Sequence, residues 1–83
     1  MSEPPTPGND LFREETDDRL VADRRNFFKV ELWTRDGQHV DRLLFAGKSL
    51  DKAQELFAAY SRRRPRARLT IRQRSRVMAE WPP

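Results

Sequence analysis

Residues 66–76 constrain the fold of this chain more than any other segment, because apolar and cationic side chains alternate along them. Ala67, Leu69 and Ile71 share one parity, and Gln73 follows them. A period of two predicts a half-buried β-strand, since successive side chains of a strand point to opposite faces. The opposite parity carries a row of arginines, interrupted by a threonine: Arg66, Arg68, Arg72, Arg74 and Arg76.

A β-hairpin is predicted upstream of this strand. The segment 27–34 is rich in aromatic and β-branched residues, which suit a strand. Asp36-Gly37 favours a two-residue turn, and the second strand is predicted over 38–46. The predicted register is Phe28–Phe45, Val30–Leu43, Leu32–Asp41, Glu31–Arg42 and Trp33–Val40. A three-residue loop with a bulge would shift the pairing by one and place Val30 opposite Arg42.

A helix is predicted over 50–63. Apolar residues recur there at helical spacing, and Ser49 is a suitable N-cap. The arginines at 62–64 complement the carbonyls at the C-terminus of the helix, and Pro65 prevents its continuation.

These elements define an α+β fold with the order β-β-α-β. The prediction is a two-layer module with a three-stranded, mostly antiparallel sheet of order 2-1-3 and one helix packed on one face. The expected core under the helix comprises Phe28, Val30, Leu32, Leu43, Phe45, Leu69 and Ile71. The sequence pattern assigns no conformation to residues 77–83.

The N-terminal 26 residues differ from the rest in composition. They contain seven acids, four arginines and few apolar residues, with prolines at positions 4, 5 and 7. So little apolar surface does not offset the entropy lost on ordering. We therefore predict a disordered acidic tail over 1–26 and a folded domain over 27–83. A transient helix over 10–25 capped by Asp10 is an alternative for part of the tail.

The stretch RRRPRARLTIRQRSRV, with FKVELW upstream, resembles a set of small uncharacterised bacterial proteins with a β-β-α-β layout. The resemblance extends over roughly residues 27–78 and rests mainly on the Arg-Pro break before the alternating strand. It implies the fold described above, and it implies no activity.

The sequence carries no recognisable catalytic constellation. It has no cysteine and a single histidine, His39, which has Asp36 and Asp41 nearby in sequence. No metalloprotease, P-loop or dinucleotide-binding motif occurs. We therefore expect no enzyme activity, no cofactor, no metal site and no small-molecule substrate. No membrane span and no signal peptide are predicted, and a cytoplasmic location is the simplest expectation.

The arginine row is the main functional candidate. Guanidinium groups bind phosphates in a fork and stay charged at every relevant pH. Phe27 and Trp33 are predicted on the same face, where they would stack on bases or form an interface. The row therefore predicts binding of nucleic acid or another polyanion. A solvated or self-paired surface, an acidic protein partner and a membrane surface are the alternatives.

Self-association is the other functional hypothesis. A folded part of about 55 residues without disulfides is marginal alone. Phe27, Trp33 and Leu44 are predicted away from the helix, where they would form a homodimer surface. The sequence thus predicts a small non-enzymatic binding or interaction module that associates with itself, with nucleic-acid binding as the alternative. The ligand and the pathway do not follow from it.

Overall fold

The computed structural model describes residues 14–83. It contains two helices and four strands, which follow one another as α1-β1-β2-α2-β3-β4. Their bounds are α1 Arg19–Arg24, β1 Phe28–Trp33, β2 Val40–Gly47, α2 Leu50–Arg63, β3 Arg68–Gln73 and β4 Arg76–Trp81. Neither helix is long and apolar enough to cross a membrane.

The strands form one antiparallel sheet of order β2-β1-β3-β4. The α+β class and the neighbours β2, β1 and β3 are confirmed. The number of strands is corrected from three to four, because residues 76–81 pair with β3 instead of remaining unassigned.

The fourth strand exists because β3 ends earlier than predicted. Arg74 has a φ of 54°, in the left-handed region that reverses the chain in tight turns. Gln73 pairs with Arg76 across this turn. Arginine continues to occupy every second position through the turn, at 72, 74 and 76, so the spacing of the arginines does not reveal that the strand has stopped.

Helix α2 begins and ends where the sequence predicts. Ser49 caps it by accepting a hydrogen bond from the backbone N–H of Lys52 at 3.2 Å. The helix packs on β1, β2 and β3, and Val30, Ala53 and Ile71 lie fully buried between the two layers. The partly buried side chains around them are Phe28, Leu44, Phe45, Leu50, Leu56, Phe57 and Ala79.

The register between β1 and β2 was predicted correctly at only one end. Trp33 pairs with Val40 as expected, but Val30 pairs with Phe45, not with Leu43 or Arg42. Irregularities after Val30 and after Leu32 cause the shift. As a result Leu44 packs with the α2-side core, and Leu43 packs on the other side of the sheet.

The hairpin connection is longer than the predicted two-residue turn. It runs over residues 34–39, and the backbone N–H of Gly37 donates to the carbonyl of Thr34 at 2.9 Å. Gly37 has a φ of 72°, and a Cβ there would lie 3.2 Å from Nη1 of Arg68. Glycine therefore suits this position both by conformation and by space.

Residues 14–26 pack against the sheet through contacts that the sequence pattern does not predict. Asp18 caps α1, and Ala22 is fully buried with Phe27 and Ala46. Before α1, the backbone N–H of Thr16 donates to the carbonyl of Ala46 at 2.9 Å. The folded unit thus starts earlier than residue 27. The rest of the predicted tail, including Asp10 as a cap, lies outside the described residues.

Candidate polyanion interface

The predicted arginine row is divided among three places in the structure. Arg68 and Arg72 share the face of β3 opposite to α2, as the alternation predicts, because Leu69 and Ile71 fill the other face. Arg66 precedes β3, and Arg74 lies in the turn after it. Arg76 pairs with Gln73, which places it on the α2 side of the sheet. The five guanidiniums therefore do not form one line.

Arg72 is also not free to bind a ligand. Its Nε and Nη2 both donate to the carboxylate of Glu31, and the Nη2 distance is 2.9 Å. Arg19 donates to the same carboxylate at 3.3 Å. Glu31 is fully buried, and its hydrogen bonds raise the pKa of Arg72 above its usual value. Two cations are thus committed to one internal carboxylate.

A second ion pair lies beside the first. Nζ of Lys29 is 2.6 Å from Oδ1 of Asp23, and the Lys29 side chain is only 1% exposed. Lys29 is on the same face of β1 as Glu31, since residues two apart on a strand share a face. We call these five residues the charged cluster: Arg19, Asp23, Lys29, Glu31 and Arg72.

The two predicted stacking residues are engaged in internal contacts. The indole Nε1 of Trp33 donates to the hydroxyl of Thr70 at 2.8 Å, and Cζ of Arg72 lies 5.4 Å from the Trp33 ring centroid. Phe27 is 4% exposed and packs in the cluster beneath α1. Phe27 is thus buried, whereas Trp33 and Leu44 are each partly buried.

A different group of arginines gathers at one end of the molecule. The topology brings together the C-terminal ends of β1 and α2 and the N-terminal ends of β2 and β3. Two open clefts of about 470 and 590 Å³ lie there and share Tyr60 and Arg64. We name this surface the arginine pole after the arginines that line the clefts: Arg35, Arg42, Arg63, Arg64 and Arg66.

The arginine pole is strongly positive. Asp41 is the one acid that lines the clefts with these five arginines. Ion pairs within the described segment engage other cations, among them Arg19, Lys29 and Lys52. Cζ of Arg64 lies 6.0 Å from the centroid of the Tyr60 ring, so this guanidinium contacts an aromatic side chain instead of a carboxylate.

Stabilisation of the C-terminal end of α2 accounts for only some of the arginines at the pole. Carbonyls at the C-terminus of α2 carry partial negative charge, which nearby cations stabilise. This explains Arg63 and Arg64. Arg35 and Arg42 come from the hairpin, beyond the last turn of α2, so the helix end does not explain them. The pole therefore carries more positive charge than its own fold requires.

Sequence reasoning noticed some of these residues and missed their juxtaposition. The sequence pattern assigns the arginines at 62–64 to the helix end, predicts Arg42 opposite Glu31 and places Arg66 in the arginine row, and it does not single out Arg35. The available signal was weak: both hairpin arginines lie close to the predicted turn, at the end of the sheet from which β3 must start.

The polar residues around His39 stabilise the hairpin connection. The carboxylate of Asp36 accepts hydrogen bonds from the Thr34 hydroxyl at 2.6 Å and from the Gln38 backbone N–H at 3.0 Å. These bonds, with Thr34 as the main cause, lower the pKa of Asp36 below its usual value. Over residues 14–83, no three histidine, aspartate or glutamate side chains are grouped as a metal site requires.

Comparisons of the chain with known protein families, with curated proteins and with solved structures find no match. The resemblance to small bacterial proteins therefore gains no support, and the residues themselves must carry any functional argument.

Proposed function

We propose that this chain is a non-enzymatic binding module that binds single-stranded nucleic acid through its arginine pole. The observation that supports the proposal is the pair of adjoining clefts lined by five arginines and one acid. Guanidinium groups pair with phosphate in a planar fork, so such a surface suits a chain of phosphates better than a single carboxylate.

The shape of the pole favours a single strand. Both clefts are open, and they adjoin at Tyr60 and Arg64, so an extended strand would contact them in succession. Proteins that bind single strands combine a positive groove with aromatic rings on which bases stack. Tyr60 supplies such a ring between the clefts. The described elements include no helix-turn-helix pair that would direct a recognition helix into a duplex.

The direct test is binding of the full chain to labelled single- and double-stranded oligonucleotides at increasing salt. Five phosphate contacts on a single strand predict a log–log slope of about −3.5, so a fourfold increase in salt should weaken binding about 100-fold. Absence of binding at low salt and tens of micromolar protein would rule the proposal out. A preference for an acidic peptide over the oligonucleotide would instead indicate a protein partner.

A matched pair of variants locates the binding surface. Arg63→Gln with Arg66→Gln removes two charges from the pole. Arg24→Gln with Lys48→Gln removes two exposed charges from the opposite end of the sheet. The pole variant should reduce the salt slope by about 1.4, whereas the control should leave it nearly unchanged. Equal losses in both variants would mean that only net charge matters, and the pole would have no special role.

Self-association is the second candidate from the sequence. The small size of the domain supports it, because a folded part of this size is marginally stable alone.

A further inference from the structure

We infer that the outer edge of β4 pairs with β4 of a second copy, so that two four-stranded sheets join into one continuous sheet. β4 is a terminal strand in the order β2-β1-β3-β4. Its side chains Val77 and Met78 are 53% and 38% exposed, which makes them two of the exposed large apolar residues of the described chain. An exposed apolar edge strand is a template for pairing with another strand.

The two edges of the sheet differ in how they are protected. At β2, Glu15 forms a bridge with Gly47, and the backbone N–H of Lys48 donates to the carbonyl of Glu14 at 2.8 Å. The more open part of β2 carries the exposed charges of Asp41 and Arg42. Apolar side chains at the centre of β4 have no such cover among residues 14–83. Among the described residues, the fold thus protects one edge and leaves the other open for pairing.

The side-chain faces of β4 select one register for this pairing. Val77 and Glu80 pair with Arg72 and Thr70, so both lie on the face opposite to α2. Arg76, Ala79 and Trp81 lie on the α2 face, because their β3 partners are Gln73, Ile71 and Leu69. Met78 is the extra residue at the irregularity between these two sets.

A two-fold axis perpendicular to the sheet keeps each face on its own side. Residues opposite each other across the axis must then come from the same face. Pairing Val77 with Glu80 of the second copy satisfies this rule and also places Arg76 opposite Trp81. A shift by one residue would place Arg76 opposite Glu80, which lies on the other face.

The placement of charges supports the antiparallel orientation. β4 begins with the cation Arg76 and has the anion Glu80 near its end. Antiparallel pairing keeps the two copies of Arg76 at opposite ends of the interface, and it keeps the two copies of Glu80 apart in the same way. The guanidinium of Arg76 then approaches the Trp81 ring of the second copy, which is a favourable cation–π pair. Parallel pairing would place like charges beside each other.

The test uses sedimentation equilibrium of the full chain over a wide concentration range, without oligonucleotide. The wild-type chain should change from monomer to dimer as its concentration rises. Val77→Glu places a carboxylate opposite Glu80 at two symmetric positions and should weaken the dimer by more than about tenfold. Val77→Lys makes an opposite-charge pair with Glu80 at the same positions. Its dimer should therefore be at least about tenfold more stable than the dimer of Val77→Glu.

Leu20→Glu is the matched control, because Leu20 is 69% exposed and lies outside β4. It should leave dimerisation unchanged, and circular dichroism should show that all three variants keep their fold. A chain that stays monomeric at every concentration would overturn the inference. Equal weakening by glutamate and lysine at position 77, or loss of the dimer in the Leu20 variant, would do the same. The pole variants do not alter β4, so this result is independent of nucleic-acid binding.

Discussion

The charged cluster and the arginine pole are both rich in cationic side chains, but the surroundings of these side chains differ. In the cluster, Arg72 and Lys29 are held by carboxylates, and Glu31 beneath them is fully buried. At the pole, the arginines around Tyr60 line open clefts with a single acid. The first group binds the chain to itself, whereas the second lines clefts that are open among residues 14–83.

This difference shows why a count of arginines overestimates a binding surface. The row of five arginines predicts a single cationic surface, but the central strand β1 presents Glu31 to Arg72. An arginine beside a buried carboxylate contributes to stability, whereas an exposed one contributes little to stability. Whether a cation stabilises the fold or belongs to an exposed surface therefore depends on the side chains next to it.

The largest effect is expected from Glu31→Ala. It leaves Arg72 and Arg19 without their shared carboxylate in a partly buried site. Breaking a buried pair on one side costs about 3–5 kcal/mol, which is enough to unfold a small domain. Urea denaturation measures the loss. Glu55→Gln, at an exposed position of α2, is the control. It should change the free energy of unfolding by less than about 0.5 kcal/mol. Similar stabilities of the two variants would mean that the charged cluster is not structural.

A smaller loss is expected from Asp23→Asn. The neutral amide leaves the buried ammonium of Lys29 without its ion-pair partner. The cost should be about 2 kcal/mol, below that of Glu31→Ala, because the amide keeps an oxygen that accepts a hydrogen bond from Nζ of Lys29. Adding Lys29→Met to this variant should recover much of the loss, since no buried charge then remains. If the double variant is no more stable than Asp23→Asn, the pair is not the source of the effect.

Arg66→Gln should separate binding from stability. Because Arg66 is exposed at the pole, its loss should change the free energy of unfolding by less than about 0.5 kcal/mol. The salt slope of oligonucleotide binding should decrease by about 0.7, for one phosphate contact. Arg72→Gln should behave in the opposite way, with lower stability and an unchanged slope. The assignment of the two cation groups is wrong if Arg66→Gln destabilises the fold.

The smallest effect is a local pH dependence in the hairpin connection. The hydrogen bonds from Thr34 and Gln38 lower the pKa of Asp36. A carboxylate with a lowered pKa stabilises the folded state above the unfolded pKa of about 4, and this contribution disappears as the pH falls through the lower folded value. The amide resonance of Gln38 should therefore titrate with a midpoint below that of an unfolded aspartate. A midpoint above that of an unfolded aspartate would contradict the proposed role, and Asp36→Asn should remove the titration.

Local signals predicted the individual elements well. Ser49 marks the start of α2, and Pro65 follows its end. Leu69 and Ile71 identify the packed face of β3. These signals are reliable because capping and periodicity depend on near neighbours in the sequence. The fourth strand, the hairpin register and the packing of residues 14–26 were not predicted. They depend on a left-handed residue at Arg74, on bulges in β2 and on contacts between distant segments.

Composition and periodicity are enough to predict an α+β domain with a strongly basic C-terminal half. Which cations bind internal carboxylates and which stay exposed depends on contacts between distant segments of the chain. Composition and periodicity specify what a side chain is and which face of its own element it occupies. The partner opposite that face comes from a strand tens of residues away, and its charge decides whether an arginine stabilises the fold or is available for a ligand.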